Sequence, residues 1–456
     1  MPKHLDDLIA AAGSPVRLLR DSQSRTALAA RLPAEFTNWR DEQRSWRHSA
    51  VLFTQSHHMA DLVLRGTDAR RLVERLAVNS VADFPVDMAK QFVAVGPDGH
   101  LIGDNIMFHT AEDEYHFVGL PPTINWIEYQ AQLGGDEVEL ERDDDSSVRR
   151  GDPRFYRYQV QGPRALEVMA AATGAAPPQL RFFQMTRFTI GGKPVRALRH
   201  GMVGTPGFEL WGPWQDDEAV LAALLAAGEP FGMRRSGAAA YHTNTLESGW
   251  LSRPVPAIYT DPALADYRAW LPADSYEATA PLGGSLDADD IADFYLSPYD
   301  VGYGRIVSFD HDFIGRAALQ AAVESGRDRA RRKVTLVWDG DDVERAVGSM
   351  FHPGLGAKHF NLPLSRYADF QHDRVLLGAE TVGMSTIVGY SANFRAMLSL
   401  AVVDAAVPDG AEVRVVWGED PLSHKLQVEA HRQVEIRARV APAPLDDFAR
   451  GEYRRD

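Results

Sequence analysis

Apolar residues recur in two rhythms along this chain, and the switch between them marks out its elements. In SAVLFTQSHHMADLVLRG, Val51 and Phe53, then Leu62 and Leu64, recur at every second position, the period of a strand. TDARRLVERLAVNS carries Leu72, Leu76 and Val78 near helical spacing and predicts an amphipathic helix. FVAVGPDGHLIGDNIMFHTAEDEYHFVGL reads as three short strands joined by a Pro-Asp-Gly turn and an acidic turn. NWIEYQAQLGG reads as a helix closed by glycine. A second round follows: YRYQVQGP as a strand, ALEVMAAATG as a helix, FTIGGKPVRALRHGMVGTPGFELWGP as strands, and DDEAVLAALLAAGE as a helix. Before about Asp41, short helical patterns alternate with polar breaks.

From Arg332 the pattern changes. RKVTLVWDG, VLLGAETVGMSTIVGY, AMLSLAVV, GAEVRVVWGE and HKLQVEAHRQVEIRARVAP are short strands separated by Gly, Asp and Pro, which predicts a small all-β barrel or sandwich. The fold class expected is therefore α+β: a core of mixed α/β subdomains over residues 1–330, then a C-terminal all-β domain over 331–456, with the boundary in the charged segment Ser325 to Arg332.

Composition narrows the classes. At 456 residues the chain has room for two or three domains. It contains no cysteine, which removes disulfides, thiolate nucleophiles, iron–sulfur clusters and cysteine-bound zinc. A formal net charge of −15 argues against a general nucleic-acid binder. A small anion in a local basic pocket stays open. No apolar run reaches the length of a membrane span, and the N-terminus lacks a signal pattern, so a cytoplasmic protein with no membrane partner is expected. Oligomeric state is left open.

Several motifs fail on inspection. The acidic stretch Glu139 to Asp145 reads as a solvated loop, because adjacent carboxylates splay apart and no His joins them at ligand spacing. His57 and His58, taken as neighbours on a strand, point to opposite faces and cannot share an ion. GMVGTPG lacks the dinucleotide spacing and precedes a strand instead of a helix. G-x-S-x-G is absent. No metal is expected.

Five segments in order tell more. HLIGDNIMF (His100 to Phe108), HGMVGTPGFELWGP (His200 to Pro213), AYHTNTLESGW (Ala240 to Trp250), DHDFIGRAALQ (Asp310 to Gln320) and VGMSTIVGYSANFRAMLSLAVV together resemble the aminomethyltransferase family, the folate-binding T-protein of glycine cleavage and its relatives. Within it, EFTNWRDEQRSWRHSAVLFTQSHHM, RHGMVGTPGFELWGP and NTLESGW are most similar to tetrahydrofolate-dependent aryl-methyl-ether demethylases. The resemblance implies an aminomethyltransferase-type folate-binding core with a C-terminal β-domain. It also implies tetrahydrofolate as cofactor and a small methoxylated aromatic as substrate. N-methyl or S-methyl donors, and a non-catalytic folate-binding regulator, are the alternatives.

The resemblance carries Gln91, Gln159, Glu209, Glu247 and Trp250 to the folate site, and Asp104 to the acid near the reacting folate nitrogen. Chemistry gives reasons for several. One carboxylate can accept both adjacent N–H groups of a pterin, and Glu247 sits in the last turn before Gly249, where a helix dipole disfavours an acid unless a ligand donor meets it. Glu209 is a second acid, in the apolar strand FELW. Trp250 offers a flat face for stacking. Cleaving an aryl ether requires a donor to the departing phenolate. Tyr241 and His58 are the candidates, the phenol because its acidity matches that of the leaving group. Read as one helix, 241–247 sends Tyr241 and Glu247 to different sides. Gln55 is a possible substrate contact. Two departures bear on the substrate. Leu120 stands where the vanillate-type branch has an Arg for a carboxylate, and SRTALAARLPAEF lacks that branch's tyrosine.

Overall fold

The computed structural model describes residues 3–24 and 31–452. Residues 25–30, within the segment that lacks the branch's tyrosine, lie outside the described residues. The first strands are β1 (Val51–Thr54), β2 (Ala60–Arg65), β3 (Met88–Val95), β4 (Leu101–Ala111), β5 (Glu114–Gly119) and β6 (Glu139–Asp143). The second round supplies β7 (Phe155–Gln161), β8 (Met185–Ile190), β9 (Lys193–Arg199), β10 (Gly207–Pro213) and β11 (Arg234–Ser236). The remaining strands are β12 (Leu282–Gly283), β13 (Arg331–Trp338), β14 (Phe370–Gln371), β15 (Asp373–Leu377), β16 (Glu380–Ser391), β17 (Ala396–Asp404), β18 (Glu412–Trp417) and β19 (Val434–Pro442).

These strands form two open sheets and a closed barrel. One sheet runs β3-β4-β5-β2-β6, the other β11-β1-β7-β10-β9-β8, and the barrel β13-β17-β16-β15-β18-β19 closes through β13 and β19. The barrel interior is packed by Trp338, Phe360 and Trp417. β12 pairs with β14, tying the core to the segment that leads into the barrel. Among the described residues no helix is long and apolar enough to cross a membrane.

Local chemistry explains most of the helices. Ala69–Leu76 buries Leu72, Val73 and Leu76 on one stripe. Trp39–His48 starts where the Asn38 side chain accepts from the Asp41 amide and carries Asp41 and Glu42 in its first turn, both favoured at the positive end. Its buried stripe of Glu42, Gln43 and Trp46 faces the site described below.

Four expectations need correction. The acidic stretch is not a solvated loop: Glu139–Asp143 is edge strand β6, paired with β2, and its acids meet arginines, Glu141 with Arg65 and Arg154, and Asp143 with Arg149. The alternation was hidden because the acids on this edge are satisfied by side chains distant in sequence. His57 and His58 lie in the β1–β2 turn, not on a strand. The segment from Tyr241 to Glu247 is two short helices, Ala238–Tyr241 and Asn244–Ser248, so the single-helix geometry does not apply. The barrel region also contains a helix, Gly340–Gly348, begun by the Asp339 side chain accepting from the Asp342 amide.

Candidate active site

β1 belongs to one open sheet and β2 to the other, so residues 55–59 cross between them. The register places Phe53, Gln159 and Glu209 side by side on one face of the six-stranded sheet. The opposite face, with Leu52, Val160, Phe208 and Leu210, packs into an apolar core. Tyr241 lies on the polar face: its ring meets Phe53 edge-on with centroids 5.3 Å apart, and its hydroxyl accepts a long 3.4 Å contact from Gln55 Nε2. His58 completes the cluster, its ring 4.5 Å from that of Tyr241. His57 turns away to Ser146 Oγ at 3.0 Å. The two histidines do diverge, but because a turn splays them.

Burial sets the protonation states here. It pushes the Tyr241 phenol well above its ordinary value, so the hydroxyl keeps its proton across the neutral range. His58 is pushed down to about 3 by burial, with Arg253, His57 and Arg366 adding repulsion, and is a neutral imidazole. Gln55 Oε1, His58 Nδ1 and Gln159 Oε1 are shielded from water and accept no hydrogen bond from the protein. Each such atom costs roughly 1–3 kcal/mol unless a ligand or water meets it.

Below them runs a buried ionic chain. Arg157 donates from Nη1 to Glu209 Oε1 at 2.6 Å and from Nη2 to Asp61 Oδ1 at 2.9 Å, and His116 Nε2 lies 2.7 Å from the same Asp61 oxygen. Burial raises the Glu209 carboxyl above its ordinary value, and Arg157 offsets this only in part. Removing one member of such a chain strands a buried charge.

A second centre forms where β4 faces the barrel. Asp104 is buried, and three donors converge on its Oδ2: Gln91 Nε2, Trp250 Nε1 at 2.9 Å and the Tyr303 hydroxyl at 2.6 Å. Three sequence candidates thus meet at one carboxylate. Trp250 reaches it because Gly249, at φ 68°, ends the preceding helix against Pro444, where a side chain would collide. Trp250 contributes its indole N–H as well as a part-exposed face. Burial raises the Asp104 carboxyl, while Tyr303, Trp250 and Gln91 pull it back.

Glu247 is buried, and its oxygens are met by the protein's own donors. Trp46 Nε1 donates at 3.0 Å, Arg47 Nε at 2.8 Å, Ser391 Oγ at 2.7 Å and Asn393 Nδ2 at 3.0 Å. Where the sequence leads one to expect a ligand donor at this helix end, the structure places two side chains of Trp39–His48 and two of the barrel region. Leu120 caps the N-terminus of Pro121–Gly134, where its carbonyl accepts from Thr123 Oγ1 at 3.2 Å. No hydrogen bond joins it to the Tyr241 cluster among the described residues. Tyr303, Arg157, Trp46 and Arg47 carry no short-range signal; each reaches its partner across a long stretch of chain. Among the described residues no group of three or more His, Asp or Glu is placed to hold a metal.

The GCVT N-terminal domain family matches residues 23–254. This span contains every candidate side chain except Tyr303. The chain belongs to that family. Over 99% of its length it is 43% identical to a syringate O-demethylase of Sphingobium sp. (strain NBRC 103272 / SYK-6), covering 98% of that protein. It is 30% identical to a sesamin methylene transferase of Sinomonas sp. (strain No.22), over 91% of each chain. The solved aminomethyltransferase T of the glycine cleavage system of Bartonella henselae superposes with a TM-score of 0.63 at 17% identity, covering 95% of this chain and 98% of that one. The fold is that of the aminomethyltransferases, with the all-β barrel at its C-terminal end.

Proposed function

We propose that the protein O-demethylates a methoxylated aromatic compound and transfers the methyl group to tetrahydrofolate, giving 5-methyltetrahydrofolate and a phenol. The observation that carries this reading is the Tyr241 phenol, kept protonated by burial and packed between Gln55 and the neutral ring of His58. A relative over nearly the whole chain, a syringate O-demethylase, supports the same reaction class.

The residues present fit tetrahydrofolate on chemical grounds. The unsatisfied oxygens of Gln55 and Gln159 ask for N–H donors, and Asp104 holds its three protein donors on a single oxygen. When bound, the cofactor supplies a nucleophilic ring nitrogen. Asp104 is assigned to that nitrogen, with Gln91 and Trp250 orienting the carboxylate and Tyr303 acting as a positioning residue. Gln159 and Glu209 are assigned to the pterin edge. Glu247 is assigned to holding Trp46, Arg47 and the barrel in register beside it, which makes its support of the folate site indirect.

The side chains around the ether have two tasks. Holding the methyl carbon about 3–3.5 Å from the attacking nitrogen is a matter of position. The departing phenolate needs a hydrogen bond, which Tyr241 donates from its hydroxyl; burial lifts the phenol above the acidity expected to match the leaving group, so the proton stays on Tyr241. His58, uncharged, fixes the phenol from its edge. Gln55 turns its amide toward the Tyr241 oxygen. The division into a folate- and substrate-binding core over 1–330 and a barrel domain over 331–456 is part of the same proposal.

Purified protein given tetrahydrofolate and a panel of methoxy-aromatics tests the reading. 5-Methyltetrahydrofolate and a phenol are expected with at least one ether. Product from amine or sulfonium donors alone would overturn it.

A further inference from the structure

Arg157 joins the two open sheets and the turn that crosses between them. Its main chain grips the turn: the Arg157 carbonyl accepts from the Gln55 amide at 2.8 Å, and the Arg157 amide donates to Ser56 Oγ at 2.9 Å. Its side chain shares the polar face of the six-stranded sheet, where the Arg157–Trp211 pair lies two residues along from the Gln159–Glu209 pair. Phe108 of β4 and Trp211 of β10 flank the guanidinium, each ring centroid 5.4 Å from Cζ. The buried cation spans the sheets, donating to Glu209 on its own sheet and to Asp61 on the other.

One cation here serves two carboxylates. His116, the fourth member, is lowered by burial and meets Asp61 as a neutral ring. Burial raises Asp61, but Arg157 and His116 outweigh it and hold that carboxyl below its ordinary value. At Glu209 burial wins over Arg157, and the Asp61 charge adds to the rise. Glu209 is therefore the acid whose charge depends on Arg157. Tyr241 is the remaining titratable group in reach; burial raises its phenol, and the Glu209 charge raises it further. Arg157 occupies Glu209 Oε1, and among the described residues no hydrogen bond engages Oε2. Beside it Gln159 Oε1 is shielded from water and unpaired. Two adjacent acceptors suit a pair of N–H donors, but only while Glu209 is ionised; a protonated carboxyl would present a donor of its own.

We propose that Arg157 is a positioning residue for tetrahydrofolate: anchored on Asp61, it holds the Glu209 carboxylate by Oε1 and presents Oε2 to the pterin, a role that rests on the assignment of Glu209 to the pterin edge. The same residue fixes the main chain of the turn that carries Gln55 and His58, so the folate and ether halves of the site are built on one support.

Equilibrium binding of tetrahydrofolate across about pH 5.5–8.5 reads the Glu209 charge without turnover. Wild-type affinity is expected to fall toward acid as Glu209 takes a proton. Arg157→Met removes the cation, and is expected to weaken binding at pH 7 by about tenfold or more and to move the fall to higher pH. Arg157→Lys keeps a positive charge and is expected to restore part of both. Asp61→Asn removes the repelling carboxylate and leaves Arg157 on Glu209, so the fall is expected at lower pH; with Arg157→Lys it covers the case in which Arg157→Met does not fold. Damage to packing would weaken binding alike at every pH. A uniform loss of that kind in Arg157→Lys and Asp61→Asn, or a profile that no variant moves, would overturn the proposal. Glu209→Gln is expected to flatten the fall. A flattened profile there, with no shift in the Arg157 variants or Asp61→Asn, would overturn the role of Arg157 and keep Glu209 at the pterin. Affinity and profile both unchanged in Glu209→Gln would defeat the pterin assignment, and the role of Arg157 with it.

Discussion

Tyr241 and His58 stand edge to face, ring centroids 4.5 Å apart, and burial holds both in their neutral forms. The pair joins two elements far apart in sequence: a turn between the two sheets and the end of a short helix. The result is a protonated phenol whose oxygen, among the described residues, has only a long contact to Gln55.

Tyr241→Phe removes the hydrogen-bond donor to the departing phenolate and leaves the packing with Phe53 and His58. A fall in kcat of about 10²–10⁴-fold is expected, with little change in KM or melting temperature. Steady-state rates of 5-methyltetrahydrofolate formation check it. A loss confined to KM would give Tyr241 a binding role only.

His58 should make the protein less stable as pH falls. Its folded-state pKa, about 3, lies below the ordinary value of 6.5, so the unfolded chain binds the extra proton between those values. Stability is therefore full above about pH 6.5 and is lost toward pH 3, by at most about 1.4 kcal/mol per pH unit from this group. Urea unfolding of His58→Gln at pH 7 and pH 5 is expected to show a smaller drop than the wild type. Equal drops would show that His58 titrates normally.

Tyr303→Phe takes one donor from Asp104 Oδ2. That hydrogen bond lowers the Asp104 pKa, so its loss raises it. If the ionised acid is the active form, the acidic limb of the kcat/KM profile moves to higher pH, with the plateau largely kept. A uniform loss at every pH, with no shift of the limb, would make Tyr303 a packing residue.

Glu247→Ala leaves the donors of Trp46, Arg47, Ser391 and Asn393 without their acceptor. Arg47 keeps its pairing with Asp446, so a loss of about 2–3 kcal/mol is expected in place of the full cost of a stranded buried charge. Chemical denaturation measures it. An unchanged midpoint with a large rise in tetrahydrofolate KM would assign Glu247 to the pterin directly.

How much could be read beforehand follows from the range of the forces involved. The alternation at Val51 and Phe53 is local, so β1 was legible, as were β3 to β5 and the barrel strands. Asp104, Gln91 and Trp250 were legible as candidates through the resemblance, but their convergence on one oxygen was not. Tyr303 is separated from Asp104 by 199 positions, and nothing near it in the chain marks it. Glu247 stands out in the sequence as an acid awaiting a ligand donor; that Trp46 and Ser391 of the chain itself meet it depends on how the barrel seats against the core. The helix Gly340–Gly348 could have been found, since Asp339 before GDDVERAVG is an ordinary capping signal.

The most direct test uses a methoxy-aromatic carrying a ¹³C-labelled methyl group, tetrahydrofolate and the wild-type protein, with both products followed by mass spectrometry. The label is expected in 5-methyltetrahydrofolate, with an equimolar amount of the phenol. Phenol formed without labelled folate, or no phenol from any ether while folate still binds, would contradict it.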